Sequence, residues 1–395
     1  MEMIRSFLPV GQGAFYTEQF SGSFGQINVV YDCGSQTSLS LLRRQIQQTF
    51  VPGSVIDAVF ISHLHADHIN GLPFLLTHYR VKNLFFPLLT QEHRQLLLLR
   101  DLVAPNGPTT PFLTSFLTNP YQAFGELDLD YTPTLYQIRD YRQPDLSSNL
   151  DAISLPSGET VSHIILPGGD KDLDDWLYLP FNFQQDTRLA ILRSALRKIF
   201  HRDYSPEELA EGLEDGTISY ADLRQAYHQV PNTFNTNSMT LLSSSQSSQY
   251  AQVPLSPNLA VNLRQCSSHC SQSQCCVSSY PSGCLYTGDY EASKPPLYQE
   301  LAHAYDSYMA DIGCLQLPHH GSRYNYNTDL SHLPACMFYI ASAASSNKNH
   351  HPHASVLKDI LAHNRLPLPV TEQTDSLVSF LVCPLPFPPS ALCPP

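Results

Sequence analysis

No stretch of about eighteen apolar residues runs unbroken through this sequence, which argues against a membrane-spanning helix. The opening MEMIRSFLPVGQG lacks a basic start followed by a long apolar run. The expectation is a soluble, cytoplasmic protein with no membrane partner. Basic residues are also scarce: 22 Lys and Arg stand against 35 Asp and Glu, a formal charge of −13 over 395 residues. Diffuse attraction to a long nucleic acid relies on many Lys and Arg contacts to phosphates, so any nucleic acid must be held at a compact local site. A disulfide framework is missing as well. Five of the ten cysteines are scattered singly (Cys33, Cys314, Cys336, Cys383, Cys393) and read as reduced core thiols. The others crowd into one tract at Cys266, Cys270, Cys275, Cys276 and Cys284. No repeat of fixed period is visible.

What is present is ample apolar content, 42%, enough for one large domain or two ordinary ones. Strand signals occur at INVVYDCGS, VIDAVFIS and VKNLFFP, separated by amphipathic helices over SLSLLRRQIQQTF and from Gly71 through LPFLLTHY. Two stretches interrupt the pattern, about 91–150 and 171–234. Both are expected to be insertions, the second helix-rich and containing SPEELAEGL, with a Ser N-cap and Pro at the first helical position. Strands resume at SMTLLSSS, break for a Ser/Gln/Cys-rich loop over 244–280, and return in GCLYTGDY, IGCLQLPHHGS, MFYIASAA and SLVSFLVC. Residues 1–384 are expected to form a single domain, followed by a Pro-rich tail, 385–395.

The densest chemistry lies in FISHLHADHINGL, residues 60–72. Alternation along an extended segment would point His63, His65 and Asp67 the same way, and the following turn would bring His68 round. Imidazole nitrogens and carboxylate oxygens are ligands for zinc and similar divalent ions, and an open coordination position is the catalytic arrangement. GCLYTGDY and IGCLQLPHHGS would deliver Asp289 and the pair His319 and His320 at their own strand ends.

SHLHADHINGL resembles the H-x-H-x-D-H signature of the metallo-β-lactamase fold, with Ser62, Gly71 and Leu72 strengthening the match. LPVGQGAFY and NVVYDCGS resemble that superfamily's first strands. LYTGDY, LPHHGS and NKNHHPHASVL resemble the branch that includes the hydrolase domain of bacterial DNA-uptake proteins. The resemblance implies a four-layer αβ/βα sandwich with helical insertions and two divalent metal ions, Zn²⁺ first and Mn²⁺ second. It places His63 and His65 on one ion, Asp67, His68 and His320 on the other, and Asp289 between them. A third His usually completes the first site in this fold; here the neighbourhood reads SHIILPGG, leaving His163, Asn235, Asn237 or a water.

Asp32 is expected behind the ligands, accepting from an imidazole N–H. Ser322, Arg323, His351 and His353 are expected to bind substrate, with anion-attracting N–H groups of a helix starting near Ala354 beside them. The implied reaction is hydrolysis by a metal-activated water, with Asp67 and His319 as catalytic residues. The expected substrate is a nucleotide or short nucleic-acid segment, cut as by a phosphodiesterase or nuclease. A thioesterase or glyoxalase-like hydrolase is the enzymatic alternative, and a non-catalytic metal-binding regulatory protein the other. The tract CSSHCSQSQCC could hold a structural zinc through its cysteines and His269, but reads better as a flexible excursion.

Overall fold

Strands form where the sequence alternates or runs apolar, and the computed structural model assembles them into two sheets. It describes residues 1–94, 97–98, 111–148, 150–168, 171–184, 186–229, 237–246, 250–255 and 280–385. Among these, the strands are β1 (Glu2–Phe7), β2 (Gly13–Gly22), β3 (Gly25–Ser35), β4 (Val55–Phe60), β5 (Arg80–Pro87), β6 (Thr134–Ile138), β7 (Ile153–Leu155) and β8 (Trp176–Gln184). They continue with β9 (Asn237–Ser245), β10 (Tyr250–Pro254), β11 (Tyr280–Pro281), β12 (Gly283–Tyr286), β13 (Ile312–Gln316), β14 (Phe338–Ser342), β15 (Leu366–Val370) and β16 (Val378–Pro384). The larger sheet runs β11-β10-β16-β1-β2-β3-β4-β5-β6-β7 and the smaller β15-β14-β13-β12-β9-β8. Both are mixed. β3 through β7 pair in parallel, as do β12 through β15, while β1, β2 and β3 pair antiparallel.

The two-residue period sorts each strand's side chains into opposite faces, and the sorting builds three apolar interfaces. In β12 Tyr286 points between the sheets and Leu285 outward; in β9 Leu241 and Leu242 divide the same way, as do Ile340 and Tyr339 in β14. The inter-sheet core joins Phe7, Tyr16, Tyr31, Phe60 and Phe85 to Tyr178, Leu241, Tyr286 and Phe338. On the outer face of the large sheet, α1 (Leu39–Thr49) and α3 (Leu72–His78) bury Leu42, Ile46, Leu72 and Leu75. On the outer face of the small sheet Leu301, Val356 and Ile360 come from helices Pro295–Ala304 and Ala354–Ala362. Helix, sheet, sheet, helix is the four-layer αβ/βα order expected.

The stretches expected to be insertions need correction. Residues 91–150 contain β6, which pairs with β5, and residues 171–234 contain β8, which pairs with β9 along its length. Each therefore supplies a sheet strand. The helices between β8 and β9, Asp186–Phe200, Pro206–Glu214 and Tyr220–Tyr227, place Leu192, Leu209 and Leu223 in the core under the large sheet's helices. Pro206–Glu214 starts, as its sequence predicts, with a capping box between Ser205 and Glu208. β10 likewise lies within the expected loop 244–280. Cys266, Cys270, Cys275 and Cys276, His269, Asn235 and the tail beyond 385 lie outside the described residues.

Candidate metal centre and substrate groove

The ligand cluster sits where β3, β4, β12 and β13 end. After β4 the chain bends at Ser62 and Leu64 and is extended at His65, and Asp67 and His68 belong to α2 (Ala66–Ile69). Simple alternation is therefore corrected: a bent segment carries the first two imidazoles, and a helical turn carries Asp67 and His68. That turn presses on β3 so closely that a Cβ at Gly34 would lie 2.3 Å from the Asp67 carbonyl carbon. Only glycine leaves room.

Asp32 owes its position to a bulge. Phe15 pairs with Cys33 and Tyr16 with Tyr31, so Asp32 is the extra residue in β3, with φ 56°. A bulged residue in the left-handed region has its side chain re-aimed and strains the backbone. Here the carboxylate turns into the site: Oδ1 accepts from Ser62 N–H at 2.7 Å, and Oδ2 accepts from the Ser62 hydroxyl and from His68 Nδ1, each at 2.7 Å.

Asp289 follows β12 through a turn clamped by a buried side chain. Gln316 Oε1 accepts from Thr287 N–H and Gly288 N–H, both at 2.8 Å, and Ser238 Oγ accepts from Asp289 N–H at 3.2 Å. His319 and His320 occupy one tight turn, Pro318–Gly321, both with positive φ, 49° and 58°. His319 N–H donates to Gly288 O at 2.9 Å, tying this turn to the Asp289 turn.

These hydrogen bonds preset the ring tautomers. His68 donates from Nδ1 to Asp32, and His320 donates from Nδ1 to the Ser342 carbonyl at 2.7 Å. The Ser62 hydroxyl spends its single proton on Asp32, so at 3.0 Å it accepts from His63 Nδ1. All three Nε2 lone pairs then face carboxylates. His63 Nε2 lies 3.5 Å from Asp289 Oδ2, His68 Nε2 3.4 Å from Asp289 Oδ1, and His320 Nε2 3.3 Å from Asp67 Oδ2. Acceptor opposite acceptor in a buried site calls for a positive charge between them, a metal ion or a proton on the imidazole. Two groups are close enough to share one: His63, His68 and Asp289; and Asp67, His68 and His320. The separations match the edge of a tetrahedron, about 3.3–3.4 Å when each ligand is about 2.0–2.1 Å from zinc.

With no ion bound, a proton on His68 takes the place of one. Burial would raise Asp67 and Asp289, yet the surrounding imidazoles, His320 and His68 for the first and His319, His63 and His68 for the second, hold both carboxyls below their usual range. Burial lowers His68, but the charges of Asp32 and Asp289 lift it well above an ordinary imidazole. Burial and the His68 charge push His63 well down. Burial raises Asp32, against the pull of His68 and Ser62.

Asp67, His68 and His320 lie together in one group, and Asp289 lies near both His63 and His68. His65 belongs to neither group, although its ring lies 4.6 Å from that of His63. His163 is exposed on the short helix Ser162–Ile165, and Asn237 opens β9.

Beside the cluster lies an open groove of about 370 Å³, lined in part by His319, Arg323, Tyr324, His351 and His353. His319 presents Nε2 3.7 Å from Asp289 Oδ2, while Asn325 Oδ1 accepts from its Nδ1 at 2.9 Å. Asn325 Nδ2 donates to Asp289 O at 3.1 Å, which fixes the amide's orientation. Sequence reasoning missed Asn325, because its task exists only through these tertiary contacts. Ser322 also lines the groove but is buried, and its hydroxyl accepts from Tyr324 N–H at 3.2 Å, so it builds the turn. His351 stands over His319 and His320; burial and those two rings push its pKa down to about 4. His353 caps helix Ala354–Ala362, its Nδ1 accepting from Ser355 N–H at 3.2 Å. The helix therefore spends that N–H on its cap, and the groove is lined by the imidazole instead.

Residues 25–141 match the sequence model of the Metallo-beta-lactamase superfamily. Ribonuclease BN of Escherichia coli O17:K52:H18 (strain UMN026 / ExPEC) is 44% identical over 59 residues, 15% of this chain and 18% of that protein. Ribonuclease Z of Listeria monocytogenes serotype 4a (strain HCC23) is 44% identical over 48 residues, 12% of this chain and 14% of that protein. The chain thus spans less than a fifth of the length of these relatives. Among solved structures, the metallo-beta-lactamase fold protein YhfI from Bacillus subtilis aligns over 95% of this chain and 99% of its own, with TM-score 0.38 and 9% identity. Unliganded yeast PDE1 aligns over 96% and 99%, with TM-score 0.41 and 11% identity.

Proposed function

We propose that this α/β sandwich, with a Metallo-beta-lactamase superfamily match over residues 25–141, is a metal-dependent hydrolase that cuts a phosphodiester in a nucleotide or short nucleic-acid segment. The observation that carries the reading is the pair of buried His/Asp groups sharing His68, with imidazole tautomers preset so that lone pairs face carboxylates. His63 and Asp289 would hold one divalent ion, with His65, outside the two close groups, proposed to join them from beside His63, and Asp67, His68 and His320 would hold the other, with Asp289 reaching both. Zinc is the first choice by ligand type and manganese the second. Bound there, such ions would lower the pKa of a water and polarise a phosphoryl oxygen as Lewis acids.

The chain's own residues do the rest. Asp67 accepts a hydrogen bond from the attacking water, and His319, its Nδ1–H held by Asn325, acts in its doubly protonated form, donating the Nε2 proton to the developing oxyanion or the leaving oxygen. Arg323, His351 and His353 bind non-bridging phosphate oxygens, Arg323 through its fork of donors. Ser322 shapes the turn that presents Arg323. A compact donor set of this kind holds a small or single-stranded phosphate without a broad basic surface, which suits the net charge of −13. Support comes from the short ribonuclease matches and from the LYTGDY, LPHHGS and HPH segments that resemble the DNA-uptake hydrolase branch. The buried free thiols Cys33, Cys284, Cys314, Cys336 and Cys383 suit a reducing, cytoplasmic setting. Among the described residues no helix is long and apolar enough to cross a membrane.

The decisive experiment loads the protein with Zn²⁺ or Mn²⁺ and compares bis(p-nitrophenyl) phosphate with a thioester of similar size. Faster phosphodiester cleavage is expected, with one to two ions per chain by elemental analysis. Thioester cleavage without phosphodiester turnover would transfer the site to the thioesterase or glyoxalase-like class. Full metal occupancy with no turnover of either would indicate a binding protein.

A further inference from the structure

The groove has an aromatic wall to which the hydrolytic chemistry gives no task. Tyr324 is 57% exposed, and yet its backbone is tightly held. Its N–H donates to Ser322 Oγ, and the next two N–H groups, of Asn325 and Tyr326, both donate to Ser322 O at 3.1 Å. The flanking Ser322 and Asn325 are buried. The Arg323 guanidinium sits 4.7 Å from the ring centroid and donates to the Tyr324 hydroxyl at 2.6 Å. A guanidinium covers only one face of a ring, and more than half of this residue still meets solvent. An aromatic ring fixed in place and left wet gains free energy when a flat apolar surface covers it.

The rest of the groove supports a flat, polar-edged occupant. Its volume of about 370 Å³ falls within the range of small-molecule sites. Asn349 and His350 line it as exposed side chains, and the Asn349 amide offers both a donor and an acceptor. The buried Nδ1 of His351 has no hydrogen-bond partner among the described residues.

We propose that Tyr324, with Asn349, forms a subsite for the nucleobase attached to the scissile phosphate. The base stacks on the phenol ring, an interaction open to every base because each has a π-face, and the amide meets the base edge. The inference rests on the phosphodiester reading and narrows it: the substrate is an unpaired nucleotide, because a base stacked inside a duplex cannot reach the ring.

The test uses the protein as purified, with its metal, and two readouts. Equilibrium binding compares adenosine 5′-monophosphate with ribose 5-phosphate, which differ by the base. Wild type should prefer the nucleotide by about tenfold or more. Tyr324→Ala should abolish that preference, and Tyr324→Phe should keep it. Hydrolysis compares thymidine 5′-(p-nitrophenyl) phosphate with methyl p-nitrophenyl phosphate, and the ratio of KM values should collapse toward one in Tyr324→Ala. Equal binding of both ligands by wild type, or a preference that survives Tyr324→Ala, would overturn the subsite. A Tyr324-dependent preference in a protein that cleaves neither ester supports the subsite and sinks the phosphodiester reading. Cleavage of both esters without any base preference does the reverse.

Discussion

Two buried polar clusters lie between or beside the sheets, and they differ in whether they are complete. In the first, Arg5 donates to Glu18 Oε1 at 2.8 Å, to Ser282 O at 2.8 Å and to Ser243 O at 3.3 Å. Glu18 in turn accepts from Tyr178 at 2.7 Å, Ser243 Oγ at 2.6 Å and Tyr286 at 3.0 Å. Burial alone would lower the Arg5 pKa, but Glu18 holds the guanidinium firmly charged. Cation and anion neutralise one another, and the remaining lone pairs are used. In the second cluster Asp32 is served like Glu18, while Asp67 and Asp289 face imidazole Nε2 atoms. One cluster closes on itself and belongs to the fold; the other gathers the donors that the proposed metal ions would use.

The comparison predicts that damage to each cluster separates metal binding from stability. The largest effect is expected for Asp289→Ala, because this carboxylate reaches both His63 and His68. Activity should fall on the order of a thousandfold. Metal content by elemental analysis should fall further than in His63→Ala, which touches one group. Equal metal loss in the two variants would mean that Asp289 serves a single ion.

Arg5→Met attacks the closed cluster. It leaves Glu18 buried without its cation, at a cost of about 3–5 kcal/mol. Denaturant melts should register that loss, while metal content in the surviving folded protein stays at the wild-type value. Metal loss in this variant would erase the distinction between the clusters. Asp32→Asn tests the seam where the open cluster is supported. An amide keeps the shape but weakens the acceptor for His68 Nδ1–H, so metal affinity should drop roughly 10–100-fold in a chelator competition. An unchanged affinity would make Asp32 a residue of the bulge alone.

The same contrast explains what the sequence made legible. His63, His65, Asp67 and His68 fall within six positions, so their convergence is local and the sequence carries it. Asp289, His319 and His320 were visible as strand ends because LYTGD and LQLPHH join apolar runs to polar turns. The delivery of Asp67 and His68 by a helical turn was not visible, since ADHI is too short to display a helical period. β8 was hidden for the opposite reason. WLYLPFNFQ is buried at every position, so it lacks the alternation that marks a half-buried strand. The tautomers were beyond reach altogether: they depend on Ser342, Asn325 and the bulge at Asp32, which no local pattern connects to the imidazoles.

The finest separation comes from removing one hydroxyl from each cluster. Ser62 donates to Asp32 Oδ2 at 2.7 Å, and Tyr178 donates to Glu18 Oε2 at 2.7 Å, so the two bonds match in length and in acceptor charge. Each should be worth about 1.5–3 kcal/mol of stability by the usual range for hydrogen bonds to charged groups. Tyr178→Phe should lie near the lower end, because Glu18 keeps Arg5, Ser243 and Tyr286. Ser62→Ala should cost a similar amount, since Asp32 keeps Ser62 N–H and His68 Nδ1. Beyond stability the variants diverge. Without the Ser62 oxygen, His63 Nδ1–H loses its acceptor at 3.0 Å, and the tautomer that aims Nε2 at Asp289 is no longer enforced. Metal affinity should then fall in Ser62→Ala, by less than in Asp32→Asn, and stay unchanged in Tyr178→Phe. Equal shifts in metal affinity from both variants, or none from either, would show that hydrogen bonding behind His63 does not set the ligand.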